Sequence, residues 1–388
     1  MAMQLAFDVE DFLATAWQHR PLLLRQALPG FRSPLDGNDL AALATHEDAL
    51  ARLVQSRAGK QWTLRHGPFA AADFAALPAR EWTLLVQDVD KWLPEPLAPL
   101  LEAFRFLPRW RIEDVMVSYA VAGGSVGAHV DQYDVFLLQA AGHRRWQIDT
   151  RADPLLALDP RAPLKLLRQF QPDQDWILAP GDMLYLPPGV PHHGVAEDEC
   201  LTFSLGLRAP SASETLHALA SAVLEASPDT QRFRDPELCA QRWHGELDAP
   251  AIAALRAPLQ ALLDSAASPA ALGRFLCAWR AARPPRPRPR PMSTARLAER
   301  MGEGTTVLRP DPWQRLCWTR TARTDEAELH SAAGSIDLPM ALADRLCARE
   351  AVGAADWRLL DASARAGLHR LYAAGVLDLV RQRGLAGR

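Results

Sequence analysis

Residues 123–146, GGSVGAHVDQYDVFLLQAAGHRRW, constrain the fold of this chain more than any other stretch. They place His129 and Asp131 two positions apart, just before the apolar run at residues 135–138. Side chains two positions apart in a strand point to the same face, so this imidazole and this carboxylate are predicted to enter the same space. The glycines that precede the pair indicate a loop, and the apolar run indicates a buried strand.

A second source of histidine lies downstream, in PGDMLYLPPGVPHHG at residues 180–194. His192 follows Asp131 by 61 positions, which is room for the chain to cross a β-barrel and return opposite the first two side chains. Two histidines and one carboxylate on one face of a metal leave the other face open, as non-haem Fe(II) oxygen chemistry requires. A lone His-x-Asp also fits a hydrogen-bonded pair in a surface loop, but the flanking strand and Pro-Gly-Asp turn favour the metal site.

Four segments together resemble the JmjC-type cupin oxygenases, and most closely the bacterial ribosomal oxygenases: HVDQYDVFLLQ, GHRRW, PGDMLYLPPGVPHHG and TFSLGLRAP. Enzymes of that family hydroxylate an arginine in a large-subunit ribosomal protein. The resemblance implies a double-stranded β-helix barrel that uses Fe(II) and, as cosubstrate, 2-oxoglutarate. It also implies that helices after the barrel pair two chains into a homodimer and that a small winged-helix-like domain follows them.

The order of apolar patterns predicts an α+β chain with several parts. Short apolar runs between turn residues from position 133 to 207 indicate a sandwich or barrel, and helical spacing follows after residue 210. Helices of that kind either cover a barrel or pair two chains. RPPRPRPRP, at residues 283–291, indicates an extended Pro/Arg linker. Upstream, residues 39–54 have a helical pattern. With the resemblance, the predicted parts are a JmjC-type cupin catalytic domain at 1–209, a helical dimerisation region at 210–282, a linker at 283–292 and a winged-helix-like domain at 293–388.

The three proposed metal ligands, which are also the catalytic residues, are His129, Asp131 and His192. His192 is preferred to His193 because it occupies the position after Pro-Gly-Val-Pro in the motif of the resembled family. Neighbouring residues of a strand face opposite ways, so only one of the two histidines is expected to bind the metal. His193 is expected to face away from the ion.

Arg144 is the proposed anchor for the distal carboxylate of 2-oxoglutarate, because a guanidinium can hold a carboxylate through two parallel hydrogen bonds. The adjacent Arg145 is expected to point outward. Ser118 and Ser204 lie on predicted strands that flank the cosubstrate and could add hydrogen bonds to it, although buried serines bonded to backbone fit equally well. Tyr133 continues the face of the two ligands and is a candidate for contact with the substrate, with a core tyrosine as the alternative.

Together with the resemblance, these residues predict an Fe(II)- and 2-oxoglutarate-dependent protein hydroxylase. The resemblance implies that 2-oxoglutarate is decarboxylated to succinate while an arginine of large-subunit ribosomal protein number sixteen is hydroxylated. Within the class, a histidyl hydroxylase or a lysine demethylase is the alternative. From other classes, a metal-binding cupin that uses no 2-oxoglutarate and a non-catalytic adaptor remain open. Arg144 argues against the first of these, and the complete His-Asp-His set argues against the second.

Charge and cysteine usage bear on partners and location. The net charge of −3 is uneven, since residues 283–388 carry +6 and the rest carries −9. An acidic catalytic half would attract a basic partner by long-range steering, although an ordinary surface charge mix also fits. The five cysteines form no CxxC, and neither a signal peptide nor an apolar run of about 18 residues is present. We therefore expect a cytoplasmic protein without membrane contact, and the winged-helix-like part leaves nucleic-acid binding undecided.

Overall fold

The computed structural model describes residues 3–57, 59–226, 234–236, 238–240 and 243–381. The chain divides into two compact units, Met1–Ala209 and Pro210–Arg388. None of the described helices combines the length and the apolar character needed to cross a bilayer.

The first unit contains five short helices, one 3-10 turn and twelve strands among its described residues. The helices are α1 Val9–Thr15, α2 Gly37–Ala44, α3 Ala71–Ala75, α4 Val89–Trp92 and α5 Pro94–Ala103, and the 3-10 turn is Arg109–Arg111. The strands are β1 Leu22–Leu24, β2 Ala51–Arg57, β3 Gln61–His66, β4 Trp82–Val86, β5 Ile112–Ala120, β6 His129–Val130, β7 Asp134–Ala141, β8 Arg144–Ile148, β9 Gln174–Leu178, β10 Met183–Leu186, β11 Pro191–Ala196 and β12 Cys200–Leu207.

These strands form two antiparallel sheets. Within the described residues, eight strands are ordered β1-β10-β7-β12-β5-β4-β2-β3, and four are ordered β6-β11-β8-β9. The sheets face each other, because Arg144 on β8 of the smaller sheet reaches Ser118 on β5 and Thr202 on β12 of the larger one. The double-stranded β-helix barrel that the sequence predicted is confirmed.

The larger sheet is covered on both faces, which explains why its central strands β7 and β12 are buried almost throughout. On β12, Phe203 and Leu205 pack with the helices into the main core, whereas Thr202 and Ser204 face the barrel interior. Every residue of β12 is buried. Each large apolar side chain buried in this way contributes about 1.5–3 kcal/mol to folding.

Residues 39–54 are not one helix, so that prediction is wrong. Helix α2 ends at Ala44, and β2 begins at Ala51 and pairs with β3 and β4. A capping box between Asp36 and Asp39 fixes the start of α2. The apolar residues of β2 satisfy a helical period by coincidence, and pairing with two neighbouring strands decides the conformation, as tertiary context often does.

The second unit combines helices with two small sheets. The helices are α6 Ala212–Ala226, α7 Ala249–Ala266, α8 Pro269–Ala278, α9 Thr294–Gly302, α10 Met340–Cys347, α11 Ala354–Leu359 and α12 Ala362–Ala373. The strands are β13 Thr306–Pro310, β14 Cys317–Arg320, β15 Glu326–Ser331, β16 Gly334–Pro339 and β17 Leu377–Arg381. Strand β13 pairs with β17, and β14, β15 and β16 form a meander. The winged-helix-like description of this part stays a prediction.

The Pro/Arg stretch, which stays a predicted linker, makes contacts with residues later in the chain. The guanidinium of Arg283 lies 3.8 Å from the ring centre of Trp313, and Arg288 donates to the carbonyl of Tyr372 and pairs with Asp378. On the preceding helix α8, Cys277 is buried against the carbonyl of His330. Arginines stack on aromatic rings and donate to carbonyls, so this stretch packs onto the C-terminal core instead of standing away from it.

Candidate metal centre

Two paired strands bring the proposed metal ligands together. In the ladder between β6 and β11, His129 lies directly opposite His192, and their ring centroids are 4.2 Å apart. Asp131 follows β6, and its Oδ2 lies 4.0 Å from Nε2 of His129 and 3.9 Å from Nε2 of His192. One ligand atom from each of the three residues falls within 4.8 Å of the other two. The structure therefore gathers the residues that the sequence singled out.

Hydrogen bonds to backbone orient both imidazoles toward this centre. Nδ1 of His129 lies 3.0 Å from the carbonyl oxygen of Gly127, and Nδ1 of His192 lies 2.9 Å from that of Val190. A carbonyl only accepts, so each Nδ1 carries the proton and each Nε2 keeps a free lone pair. Burial and the neighbouring His129 lower the pKa of His192 to about 4, so this ring is neutral near pH 7. The donor set fits a divalent metal with open coordination positions, Fe(II) in particular.

His193 lies outside this cluster. Its Nε2 is 3.0 Å from Oγ of Ser125, and its ring meets the edge of Phe170 at a centroid distance of 6.0 Å. The side chain is half-buried. It thus faces away from the ligand atoms, as the alternation of β11 predicted.

Arg144 is a buried cation inside the barrel. Only 5 % of its surface is exposed, and its Nη1 donates to Ser118 Oγ at 3.1 Å and to Thr202 Oγ1 at 3.4 Å. Its Nε has no hydrogen-bond partner, and no carboxylate in the described part of the chain pairs with it. Burial lowers the pKa of Arg144, the direction expected of a charge held without a counter-ion. This orphaned guanidinium fits the free carboxylate of a bound dicarboxylic acid.

The hydroxyls around Arg144 agree only in part with the prediction. Ser118 contacts the guanidinium, but its second partner is Thr202, which the sequence reasoning missed. Thr202 donates in turn to Oε1 of Gln139 at 3.1 Å. Ser204 is buried on the same face of β12 but makes no hydrogen bond with Arg144 in the structure. The strand register places Thr202 opposite Ser118, so the Thr202 hydroxyl and not that of Ser204 contacts Arg144. Alternation along one strand does not predict the register between two strands.

Trp146 separates the metal ligands from Arg144. Its ring centre lies 5.9 Å from that of His192 and 5.6 Å from the guanidinium carbon of Arg144. A Cβ at Gly194, the residue paired with Trp146, would stand 2.7 Å from the indole, so only glycine leaves room for it. Trp146 is 5 % exposed, and with Ile148 it makes this wall of the barrel apolar. The cavity can therefore strengthen an ionic contact to Arg144 by excluding water.

Tyr133 lies beside a group of charged residues that the sequence reasoning did not find. The guanidinium carbon of Arg208 lies 4.2 Å from the Tyr133 ring centre, and Arg208 pairs with Glu113 at 2.9 Å. A Cβ built at Gly206 would lie 3.4 Å from Oδ1 of Asp114 and 3.7 Å from the Tyr133 ring. Burial raises the pKa of Tyr133, and the charges of Asp131 and Asp114 raise it further. The phenol is therefore near both the metal ligand and a second carboxylate.

Asp114 is the unexpected member of this group. It lies two and four positions from Met116 and Ser118 on β5, so all three share the face that lines the barrel. Burial raises the pKa of Asp114 to about 7, and the neighbouring Asp88 contributes to that rise. Lys91, whose charge opposes the shift, is bonded to Asp88 and to the carbonyl of Glu113. The signal in the sequence is an acidic residue on the same strand face as Met116 and Ser118.

Comparison with known proteins gives consistent matches. The JmjC domain pattern matches residues 99–215, and the pattern of the AraC-like ligand binding domain matches residues 170–273. A curated relative from Haemophilus influenzae, described as a probable ribosomal oxygenase, is 41% identical over 57% of this chain and 54% of its own. The ribosomal protein uL16 3-hydroxylase of Escherichia coli is 40% identical over 61% of this chain and 62% of its own. These two matches thus span little more than half of each relative.

Similarity to a solved structure extends over nearly the whole chain. The structure of YcfD, a ribosomal oxygenase from Escherichia coli in complex with cobalt and 2-oxoglutarate, has a TM-score of 0.82 and 31% identity. The match covers 97% of this chain and 99% of that one. The barrel, the His-Asp-His cluster and the similarity over both units lead to one assignment. The chain belongs to the family of JmjC-domain ribosomal oxygenases.

Proposed function

We propose that this protein is an Fe(II)- and 2-oxoglutarate-dependent hydroxylase that acts on an arginine side chain of ribosomal protein uL16. The observation that carries the proposal is the buried Arg144, a cation without a counter-ion in the same barrel as His129, Asp131 and His192. A metal-binding cupin that uses no 2-oxoglutarate has no need of such a cation. The E. coli structure bound to cobalt and 2-oxoglutarate supports the same cofactors here.

Each residue of the site has a part in this reaction. Fe(II), when bound, would supply the coordination sites for the keto-acid group and for dioxygen. His129 and His192 would hold the ion through Nε2, and Asp131 would hold it through a carboxylate oxygen. Arg144 binds the distal carboxylate of 2-oxoglutarate, and the hydroxyls that contact Arg144 fix the plane of its guanidinium.

The group around Asp114 supports a cationic target side chain. Asp114 is half-buried in the barrel wall, and no cation in the described residues lies within ion-pair distance of it. A guanidinium from the substrate would form an ion pair with the Asp114 carboxylate through charge-assisted hydrogen bonds. Residues 1–209, with 26 acidic and 19 basic residues, would also attract a basic ribosomal protein. We propose that the reaction takes place in the cytoplasm, where such a substrate is synthesised.

Substrate binding is expected to depend on the charge of Asp114. The pKa of this group is raised to about 7, so the carboxylate is ionised above pH 7 and loses its charge below it. The KM for an arginine-containing uL16 peptide should therefore rise as the pH falls from 8 to 6. Asp114→Asn should raise the KM at pH 8 by about 10- to 100-fold, as expected for a hydrogen bond to a charged group worth about 1.5–3 kcal/mol, and should flatten the pH profile.

Glu102→Gln is a suitable control, since this glutamate is exposed and pairs with Arg105 on the surface. The KM of the control should follow the pH profile of the wild type. If Asp114→Asn retains both the wild-type KM and its pH dependence, the target side chain does not contact Asp114.

The reaction is tested by the intact masses of ribosomal proteins from cells with and without this protein. The proposal expects one extra oxygen atom on uL16 alone when the protein is present, and fragmentation should locate it on an arginine. If the added oxygen lies on a histidine or on another protein, the target is that residue or protein and not an arginine of uL16. Loss of a methyl group would indicate a demethylase.

We further propose that the second unit forms a homodimer. Helix α7 presents Ile252, Leu255, Leu259 and Leu262, which recur every three or four residues and are 39–62 % exposed. An apolar stripe of this spacing is typical of a helix that packs against another helix. We propose that this stripe packs against the same stripe of a second copy of the chain.

Sedimentation equilibrium should give twice the chain mass for the wild type, and Leu259→Glu should give the single-chain mass. A wild-type monomer at micromolar concentration would exclude the dimer.

A further inference from the structure

We propose that His193 is a positioning residue, which holds His129 in the orientation for metal binding through Ser125 and the backbone of Gly127. The inference concerns the same site and rests on the proposed metal-dependent function. It gives a role to the second histidine of the His-His pair, which binds no metal itself.

The contact between His193 and Ser125 begins this chain of hydrogen bonds. Strand alternation turns His193 away from the cluster that contains His192, and its Nε2 reaches Ser125 Oγ at 3.0 Å. Ser125 is only 4 % exposed, and its backbone pairs with Val195 two positions beyond His193. The hydroxyl therefore sits on a fixed backbone, and Phe170 covers the imidazole from the other side.

The chain continues through Gly127 to the ligand. The backbone N–H of Gly127 donates to Ser125 Oγ at 3.0 Å, and the carbonyl of the same glycine accepts from Nδ1 of His129 at 3.0 Å. Gly127 has a φ of +80°, and a Cβ there would stand 2.8 Å from the Leu166 side chain. The Ser125 hydroxyl thus restrains the backbone at Gly127, and the carbonyl of this residue sets the direction of the His129 ring.

His129 needs this support more than His192 does. Strand β6 is only two residues long and pairs with β11 alone. His192 lies on a six-residue strand paired on both sides, and the carbonyl of Val190 orients it from just before the same strand. Hydrogen-bond partners behind a metal-binding histidine typically change metal affinity by 10- to 100-fold when removed. The loop that carries His129 is where such a loss is expected.

The experiment measures Co(II) binding to the full-length metal-free protein under anaerobic conditions, from its visible absorption, with the melting temperature recorded for each variant. Ser125→Ala removes one oxygen atom, His193→Leu removes the ring nitrogen that contacts Ser125, and His193→Gln keeps a polar atom near the position of Nε2. His143→Gln is the matched control, because His143 is exposed and bonds to Asp198 at the surface.

We expect the Kd for Co(II) to rise about 10- to 100-fold in Ser125→Ala and in His193→Leu, with the melting temperature of the metal-free protein unchanged. The variant that carries both Ser125→Ala and His193→Leu should bind Co(II) no more weakly than the weaker-binding of the two single variants. Both substitutions interrupt the same chain of hydrogen bonds, so their effects should not add. His193→Gln should recover most of the affinity, and His143→Gln should match the wild type.

Two results would overturn the inference, and they are distinguishable. If the wild type binds Co(II) and Ser125→Ala and His193→Leu bind it equally well, the positioning role is wrong and the proposed function stands. If the wild type itself does not bind Co(II), the metal-dependent function fails and the inference fails with it.

Discussion

Replacing Asp131 with alanine is expected to abolish hydroxylation and leave the fold intact. Asp131 supplies the single carboxylate of the cluster, and its Oδ2 faces Nε2 of both histidines at about the same distance. Without it, two neutral imidazoles remain, and a hard divalent ion loses its only anionic ligand. Changes behind a metal ligand already reduce affinity or activity 10- to 100-fold, so loss of a ligand should reduce turnover by at least about 100-fold.

Little of the fold depends on this side chain. Asp131 lies beyond the end of β6 with 25 % of its side chain exposed, and its contact to Gly189 is made by the backbone carbonyl, which alanine retains. Turnover of a uL16 peptide, followed by mass at saturating Fe(II), and the circular dichroism melting curve together test the prediction. Asp175→Ala, which removes an exposed surface aspartate paired with Arg145, should behave as the wild type. Full turnover by Asp131→Ala with an unchanged melting curve would exclude Asp131 from the metal site.

Local sequence patterns, together with the family motif that singled out His192, predicted the ligand cluster. His129 and Asp131 are two positions apart, and His192 follows a Pro-Gly turn, so their placement depends on strand alternation and on one pairing of β6 with β11. The residues that the sequence did not supply, Thr202 and Asp114, depend on how β5 pairs with β12, two strands more than 80 positions apart along the chain. Register at such a distance is set by packing of the whole sheet, not by any neighbouring residue.

Two segments show how distant partners act on a local sequence pattern. Residues 39–54 have the apolar spacing of a helix, but residues 51–57 form strand β2 because they pair with β3 on one side and β4 on the other. The Pro/Arg stretch has the composition of a linker, yet Trp313 and Tyr372, which lie far along the chain, provide surfaces for its arginines. In both segments the deciding partners are distant in sequence, and composition carries no information about them.

Replacing Arg144 is expected to affect 2-oxoglutarate binding far more than metal binding. The Fe(II) ligands lie on the other side of Trp146, so Arg144→Ala leaves them in place. The distal carboxylate would then be buried without a cation, and losing one member of a buried pair costs about 3–5 kcal/mol. That corresponds to a rise in Kd of about two to three and a half orders of magnitude. Lysine should restore part of the loss, since it keeps the charge but lacks the planar pair of donors.

Titration of 2-oxoglutarate into the anaerobic Fe(II) protein, followed by the metal-to-ligand absorption band, measures this change. Arg145→Ala is the matched control, because this neighbour is exposed and pairs with Asp175 and Glu197 on the surface. A wild type that develops no band would exclude the 2-oxoglutarate oxygenase, and an unchanged midpoint in Arg144→Ala would exclude Arg144 as the anchor.

The same residue links cosubstrate binding to stability. In the protein without 2-oxoglutarate, Arg144 is a buried cation with no counter-ion among the described residues, and its lowered pKa reflects the cost of burying that charge. Arg144→Met should therefore melt at the same temperature as the wild type, or higher, when 2-oxoglutarate is absent. Saturating 2-oxoglutarate with Co(II) should raise the melting temperature of the wild type by mass action beyond the effect of Co(II) alone, and should give no such increment in Arg144→Met. If Arg144→Met melts well below the wild type without ligand, yet 2-oxoglutarate still raises its melting temperature by the full increment, Arg144 stabilises the barrel and does not bind the cosubstrate.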